Sequence, residues 1–128
     1  MGSPIRIETE KFETQAINMQ INSGIYEEFQ KRCKKRNLPM YVVIETFCRQ
    51  YASGRYILDK DSIEKWENNN ESTSTLNTSI NKEVYANFKD VVKARKFYVR
   101  YVLSAFIEDY GRNCPIMEFV GRDTKLTK

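Results

Sequence analysis

The sequence predicts a mainly α-helical α+β fold made of two copies of one strand–helix–helix unit. Three observations carry this prediction: an internal repeat, a stretch of alternating polarity that opens each copy, and two helix-period segments behind each stretch. When the sequence is displaced by 59 positions, residues 17–51 align with 76–110 without a gap and with ten identities, where chance gives about two. A unit this short buries too little surface to fold alone. We therefore expect an intramolecular pseudo-dimer with one shared core.

The identities fall on polar and apolar positions alike, so the repeat extends beyond a hydrophobic pattern. They pair Asn18 with Asn77, Ile21 with Ile80, Asn22 with Asn81, Tyr26 with Tyr85, Phe29 with Phe88, Lys34 with Lys93, Arg36 with Arg95, Val43 with Val102, Phe47 with Phe106 and Tyr51 with Tyr110. The copies divide the chain into an N-terminal arm (1–14), a first unit (15–58), a linker (59–74), a second unit (75–112) and a C-terminal tail (113–128).

The first copy opens with a strand. Residues 17–22 alternate strictly between apolar and polar side chains, which is typical of a half-buried strand. A helix over 23–36 follows with one apolar face, and Pro39 suits the first turn of the next helix. That second helix, over 39–52, has a broad apolar face and ends at Ser53-Gly54.

The second copy repeats this order. A strand is predicted over 76–81, followed by helices over 82–94 and 98–110, with Gly111 as the cap of the last helix. Between the copies, residues 61–68 are predicted to form a short helix that turns Ile63 and Trp66 inward.

The composition argues against an enzyme. The chain contains no histidine, the commonest general base and a common metal ligand. Its five glycines form no phosphate-binding loop, and Cys33, Cys48 and Cys114 lack the spacing of metal ligands. We expect no cofactor and no metal. The cysteines are interpreted as free thiols in a reducing cytoplasm. No segment has the length of a membrane span or the pattern of a signal peptide.

The positive charge belongs to the repeated units. Residues 17–60 carry eight Lys or Arg against four Asp or Glu, and residues 76–112 carry seven against four. Residues 61–75 carry only Lys65 against four acidic residues. The connector is thus acidic while both units are basic, which favours a polyanionic partner for the units.

In its order and lengths of elements, each unit resembles the ribbon-helix-helix family of bacterial, plasmid and phage DNA-binding proteins. The resemblance covers 16–54 and 75–112, and two copies in register make it resemble the tandem, single-chain members of that family. It implies that the two strands pair antiparallel into a ribbon that enters the DNA major groove, and that four helices form the core. The implied partner is double-stranded DNA.

The polar side chains of the strands are the candidate base contacts. If Ile17, Met19 and Ile21 face the core, the opposite face of the ribbon carries the residues that meet the bases, which are Asn18, Gln20, Asn22, Thr75, Asn77, Ser79 and Asn81. Asn and Gln pair bidentately with adenine, and Ser can donate or accept. The face carries no Arg or Lys for guanine, which favours A·T-rich targets. For Asn22 and Asn81 the alternative is a structural role, because helix N-caps favour Asn.

The basic turns between the helices are the candidate phosphate contacts. By the resemblance, the turn and the first amides of the second helix rest on the DNA backbone. The residues concerned are Lys34, Lys35, Arg36 and Met40 in the first copy and Lys93, Arg95, Lys96 and Tyr98 in the second, with Lys31 and Arg32 nearby. The alternative is that these are solvated helix ends whose charge complements the helix dipole.

Three functions remain open at this point. The first is a repressor or other transcriptional regulator of a phage, plasmid or other mobile element. The second is an accessory protein that binds a transfer origin for a relaxase. The third is a protein-interaction module, antitoxin-like or an inhibitor of a host protein, with weak or lost DNA binding. Self-association on adjacent DNA sites and a protein partner bound by the tail are further expectations.

Overall fold

The computed structural model describes residues 13–69 and 71–117. Within these residues the fold is mixed α+β, with one two-stranded antiparallel sheet and five helices. The elements in chain order are β1 Thr14–Asn22, α1 Ser23–Lys35, α2 Met40–Ala52, α3 Lys60–Glu64, β2 Thr73–Asn81, α4 Lys82–Ala94 and α5 Val99–Asn113. The predicted α+β class is thereby confirmed.

The sheet joins the two copies of the repeat. β1 and β2 pair antiparallel with Asn18 opposite Asn77, so the register is centred on two residues that the repeat makes equivalent. Both strands have the same burial pattern, and their large apolar residues lie on the helix side. Ile17, Ile21, Leu76 and Ile80 are each at most 3% exposed. The alternation in the sequence therefore identified the inner face correctly.

Both strands begin three residues earlier than the alternation predicted. Thr14 lies opposite Asn81, and Thr73 lies opposite Asn22, so each early residue pairs with the far end of the other strand. Thr14 therefore belongs to β1 and not to an arm, and Thr73 and Ser74 belong to β2 and not to the linker. These residues are polar or small, so only their pairing marks them as strand. The rest of the arm to residue 12, and the tail from 118, lie outside the described residues.

The helices pack across the two copies. α1 packs mainly on α5, and α4 packs mainly on α2, whereas the two helices of one copy contact each other little. At the centre, the rings of Phe47 and Phe106 stack with centroids 4.1 Å apart and planes 11° apart. Phe88 meets the Phe47 ring edge-on at 5.6 Å, and Phe29 meets the Phe106 ring edge-on at 6.2 Å. Each copy thus buries its apolar faces against the other copy.

The turns inside the copies are built alike. α1 and α4 end at equivalent residues, and the second residue after each end, Asn37 and Lys96, has a positive φ of 59° and 66°. The next amides close the turns: Leu38 N–H donates to Cys33 O at 2.9 Å, and Phe97 N–H donates to Val92 O at 3.1 Å. The left-handed residue satisfies carbonyls at the helix end and sends the chain into the next helix.

The predicted cap at Gly111 is wrong. α5 continues to Asn113, and Cys114, with φ of 45°, ends it. Gly111 lies inside the helix, where a Cβ would come within 3.2 Å of Glu28 Cβ and of Phe29 N. Glycine is needed there because α1 and α5 approach closely, a contact between copies that local sequence does not reveal. α3 is also shorter than predicted. α1 ends one residue earlier than predicted, α2 and α5 each begin one residue later, and α5 ends three residues later.

The segment after α2 covers one side of the core. Tyr56 contacts Phe47 and Phe106 edge-on, with centroids 5.1 Å and 5.4 Å away. Its hydroxyl donates to Asp109 Oδ2 at 2.5 Å, and burial together with this bond raises the pKa of Tyr56. Ile63 and Trp66 are buried as predicted. The linker therefore packs on the core and breaks the symmetry of the two copies.

We expect Phe47→Ala and Phe106→Ala each to lower the free energy of unfolding by about 3–5 kcal/mol, because each removes a ring from a fully buried stack. Urea denaturation followed by circular dichroism measures the loss. Ile57→Ala is the matched control, since Ile57 is 82% exposed. Losses below about 1 kcal/mol for both phenylalanines would contradict their central place in the core.

Candidate nucleic-acid interface

The face of the sheet turned away from the helices is exposed and uncharged. We call it the outer face; it consists of Thr14, Ala16, Asn18, Gln20 and Asn22 on β1 and Thr73, Thr75, Asn77, Ser79 and Asn81 on β2. Of these, only Asn22 and Asn81 are partly buried. The predicted base-contacting residues therefore all lie on one face, joined by Thr14, Ala16 and Thr73, which the sequence analysis missed. The alternation of polarity stops before them, because Gln15 and Ser74 on the inner side are polar, so only the pairing of the strands identifies them.

The outer face is organised as cross-strand pairs. Asn18 and Asn77 form the central pair, Gln20 lies opposite Thr75 on one side, and Ala16 lies opposite Ser79 on the other. Gln20 Nε2 donates to Thr75 Oγ1 at 3.1 Å, and Gln20 Oε1 accepts from Thr73 Oγ1 at 2.9 Å. These bonds hold the Gln20 amide along β2 and restrict its rotamers.

Asn22 and Asn81 are helix caps. Asn22 Oδ1 accepts from Ile25 N–H at 3.1 Å, and Asn81 Oδ1 accepts from Val84 N–H at 3.0 Å. Asn22 Nδ2 also donates to Glu71 Oε1 at 3.2 Å. Bidentate pairing with adenine needs both polar atoms of an amide to face the groove, and here the oxygen is directed at a helix amide and the residue is partly buried. Base contact by these two residues stays a prediction, and the other five carry the argument below.

The basic turns precede the N-termini of α2 and α5. Lys34, Lys35 and Arg36 on one copy, and Lys93, Arg95 and Lys96 on the other, are all exposed. Tyr98, which precedes α5, is 68% exposed, whereas Met40 at the start of α2 is half-buried. Helix N-termini present backbone N–H groups without helical partners, so these two ends suit an anion once neighbouring cations attract it.

Several arginines have contacts within the fold. Arg32 donates from Nε and Nη2 to Gly111 O at 3.3 Å and 3.0 Å, which ties α1 to the last turn of α5. Arg36 Nη1 donates to Cys114 Sγ at 2.9 Å, and the Arg95 guanidinium lies 4.7 Å from the centroid of the Tyr51 ring. Such contacts favour the alternative that part of the basic cluster stabilises helix ends. Lysines therefore carry more of the phosphate hypothesis than arginines.

Each end of the sheet lies beside one of these helix N-termini. At the end of β1, a cleft of about 310 Å³ lies between Gln20, Asn22 and Thr73 of the sheet and Arg100 and Ser104 of α5. At the other end, Glu45 of α2 accepts from Asn81 N–H at 3.0 Å and pairs with Arg49 at 2.9 Å. Because the helix N-termini follow the basic turns directly, the two turns belong to opposite ends of the outer face.

No protein-family model, curated protein or solved structure matches this chain. In the described residues, no helix has both the length and the apolar character that crossing a membrane requires. Over the same residues, no group of three or more His, Cys, Asp or Glu side chains is placed to hold a metal ion.

We expect Asn22→Ala and Asn81→Ala each to lower the free energy of unfolding by about 1 kcal/mol, because each leaves amides of a helix start without a partner. Asn22→Asp and Asn81→Asp, which keep the capping oxygen, should retain most of the stability. Thermal unfolding of the four variants measures this. Equal stability of the alanine and aspartate variants would show that the caps contribute nothing.

Proposed function

We propose that this protein binds double-stranded DNA by inserting the β1–β2 ribbon into the major groove. On this proposal it is a single-chain counterpart of a ribbon-helix-helix dimer, and its role is that of a repressor or other transcriptional regulator of a mobile element. The observation that carries the proposal is the exposed, uncharged outer face, centred on equivalent residues and bordered at each end by a helix that follows a basic turn.

The dimensions of the ribbon support this proposal. Neighbouring strands lie about 5 Å apart and rise about 3.4 Å per residue, and a B-DNA major groove is about 12 Å wide. Two strands with short polar side chains therefore fit the groove, whereas larger side chains would hold the backbone away from the bases. Asn18 and Asn77, at the middle of the ribbon, would reach the deepest point.

On this proposal, recognition of the bases and attraction to the phosphates come from different residues. The outer face has no charged side chain, so its contribution to binding must come from hydrogen bonds and methyl contacts with base edges. Attraction to phosphates must then come from Lys34 and Lys35 on one side and Lys93 and Lys96 on the other. Amide side chains at the centre favour adenine, which keeps the expectation of an A·T-rich target.

Protein interaction is the second candidate. It is favoured by the absence of Arg and Lys from the outer face and by the contacts that Arg36 and Arg95 make within the fold. Ile116 near the end of the described chain is fully exposed and offers an apolar contact for a partner. The role at a transfer origin differs from repression only in what the bound DNA does, so the experiments below apply to both.

We expect Lys34→Gln and Lys93→Gln each to weaken binding to every duplex alike and to reduce the slope of log K against log salt by about 0.9, as loss of one phosphate contact requires. Fluorescence anisotropy with random-sequence duplex over a salt series measures the slope.

The matched control is Lys60→Gln. It removes the same charge from α3, a helix of the acidic linker. An unchanged slope for this control and for both test variants would assign the basic turns to helix stabilisation alone.

We expect Asn18→Ala and Asn77→Ala each to reduce the preference for a selected site over random duplex by about 1–3 kcal/mol, because each loses a bidentate base contact. Non-specific affinity and its salt dependence should stay the same. The site is first obtained by selection from a random duplex pool, and competition titrations then compare it with random duplex.

Gln15→Ala is the control for this pair, since Gln15 lies on the same strand with its side chain on the opposite face. An equal loss of affinity for both duplexes would show that the asparagines position the protein on DNA and do not read the bases. Failure of the unmodified protein to bind any duplex would favour the protein-interaction candidate.

A further inference from the structure

The two halves of the outer face are related by the repeat but differ chemically. Displacement by 59 positions carries Gln20 onto Ser79 and Ala16 onto Thr75. In the sheet, Gln20 lies opposite Thr75 and Ala16 lies opposite Ser79. The pseudo-twofold axis thus passes between Asn18 and Asn77 and exchanges the Gln20–Thr75 pair with the Ser79–Ala16 pair. A symmetric dimer would carry the same pair twice, whereas this chain carries two different ones.

The Gln20–Thr75 pair is suited to distinguish adenine from the other bases. Gln20 has a donor and an acceptor in one plane, and the hydroxyls of Thr73 and Thr75 hold that plane in place. Because a side-chain amide has two N–H groups and two oxygen lone pairs, one of each is left for a base, and Gln20 is exposed. A planar donor–acceptor pair matches adenine N6 and N7 and no other base edge in the major groove. A side chain whose rotamer is already restricted loses less entropy when it binds.

The Ser79–Ala16 pair is suited to accept several base pairs. A serine hydroxyl donates or accepts, so it can satisfy any base edge, and an alanine methyl offers only apolar contact, best with the thymine methyl. Both residues are exposed, so the difference from the other half lies in their chemistry and not in burial.

The two ends of the sheet also differ in the charged residues beside them. The cleft beside Gln20 is lined by Glu67 and Glu71 of the acidic linker, and Glu71 accepts from the Asn22 amide. Carboxylates there oppose a DNA phosphate on that side. At the Ser79 end, Glu45 is paired with Arg49 and bonded to the sheet, and the preceding turn carries Lys34, Lys35 and Arg36. The Gln20 end also has cations, because Arg100 lines the same cleft and the turn before α5 carries Lys93, Arg95 and Lys96. The two ends therefore differ in the carboxylates beside Gln20 and not in the presence of a basic turn.

We propose that the protein reads an asymmetric duplex site, in which Gln20 and Thr75 specify an A·T pair in one half and Ser79 and Ala16 accept several base pairs in the other. The protein then sits on its site in one orientation. This inference rests on the proposed DNA binding and adds the division of its specificity between the two halves.

Selection from a random duplex pool tests the proposal on the intact chain. The unmodified protein should select a site with a fixed A·T pair on one side of the centre and a variable position on the other. From that site two palindromes are made, one repeating the fixed half and one repeating the variable half. The unmodified protein should bind the first as well as its own site, and the second roughly 5- to 150-fold more weakly, the range expected for loss of one bidentate base contact.

Two exchange variants make the test decisive. Ser79→Gln gives both halves a glutamine, so this variant should prefer the palindrome of the fixed half to the original site by about fivefold or more. Gln20→Ser gives both halves a serine and should bind all three duplexes within about twofold of one another. Ala16→Thr, which adds the hydroxyl and the methyl group of the equivalent Thr75 but no amide, is the control for bulk on the outer face and should not create the new preference.

The outcomes separate the inference from the function on which it rests. A selected site with two equally fixed halves, or no gain of Ser79→Gln on the palindrome of the fixed half, overturns the asymmetry and leaves DNA binding standing. Absence of duplex binding by the unmodified protein overturns both. Circular dichroism and thermal unfolding of each variant confirm that changed binding does not reflect a changed fold.

Discussion

The burial of each copy against the other is the constraint on which the rest of the structure depends. The rings of Phe47 and Phe106 stack on each other at the point where equivalent residues meet, and β1 pairs with β2 around Asn18 and Asn77. Edge-on contacts from other rings close the core around the stack. Because α1 packs on α5 and α4 on α2, removal of one copy would expose the apolar face of every helix in the other. Neither copy therefore has a core of its own.

Connection of the copies in one chain permits them to differ. A covalent link makes their association intramolecular, so the pairing does not depend on protein concentration. The segment after α2 then adds contacts to one side only: Tyr56 packs on both central rings, and Lys65 pairs with Glu108 at 2.8 Å. Glu108 also accepts from Arg112 at 2.5 Å, so a largely buried carboxylate has two cationic partners. The same freedom places unlike residues at equivalent positions of the outer face.

The polar side chains that stabilise the fold lie away from the centre of the outer face. Asn22 and Asn81 cap the helices, Asn37 and Lys96 turn the chain, and Arg32 binds the carbonyl of Gly111. What remains at the centre is a set of short amide, hydroxyl and methyl side chains. Such a set suits hydrogen bonding to base edges, whereas the charges needed to attract a polyanion stand in the turns. The proposed function is drawn from this separation.

The sequence by itself determined the elements and the face of each that is buried, because alternation and helix periodicity are local and both copies repeat them. It predicted both strands, although three residues short at their starts, and it predicted α4 with its observed bounds. It also predicted that Ile63 and Trp66 are buried. Only the tertiary structure decided where the copies meet. Thr14 and Thr73 are strand because of their partners, and Gly111 lies in a helix because α1 approaches it. Arg32 binds α5 although its sequence neighbours suggest an ion-binding cluster. Each of these depends on a contact between residues more than fifty positions apart, which no local pattern encodes.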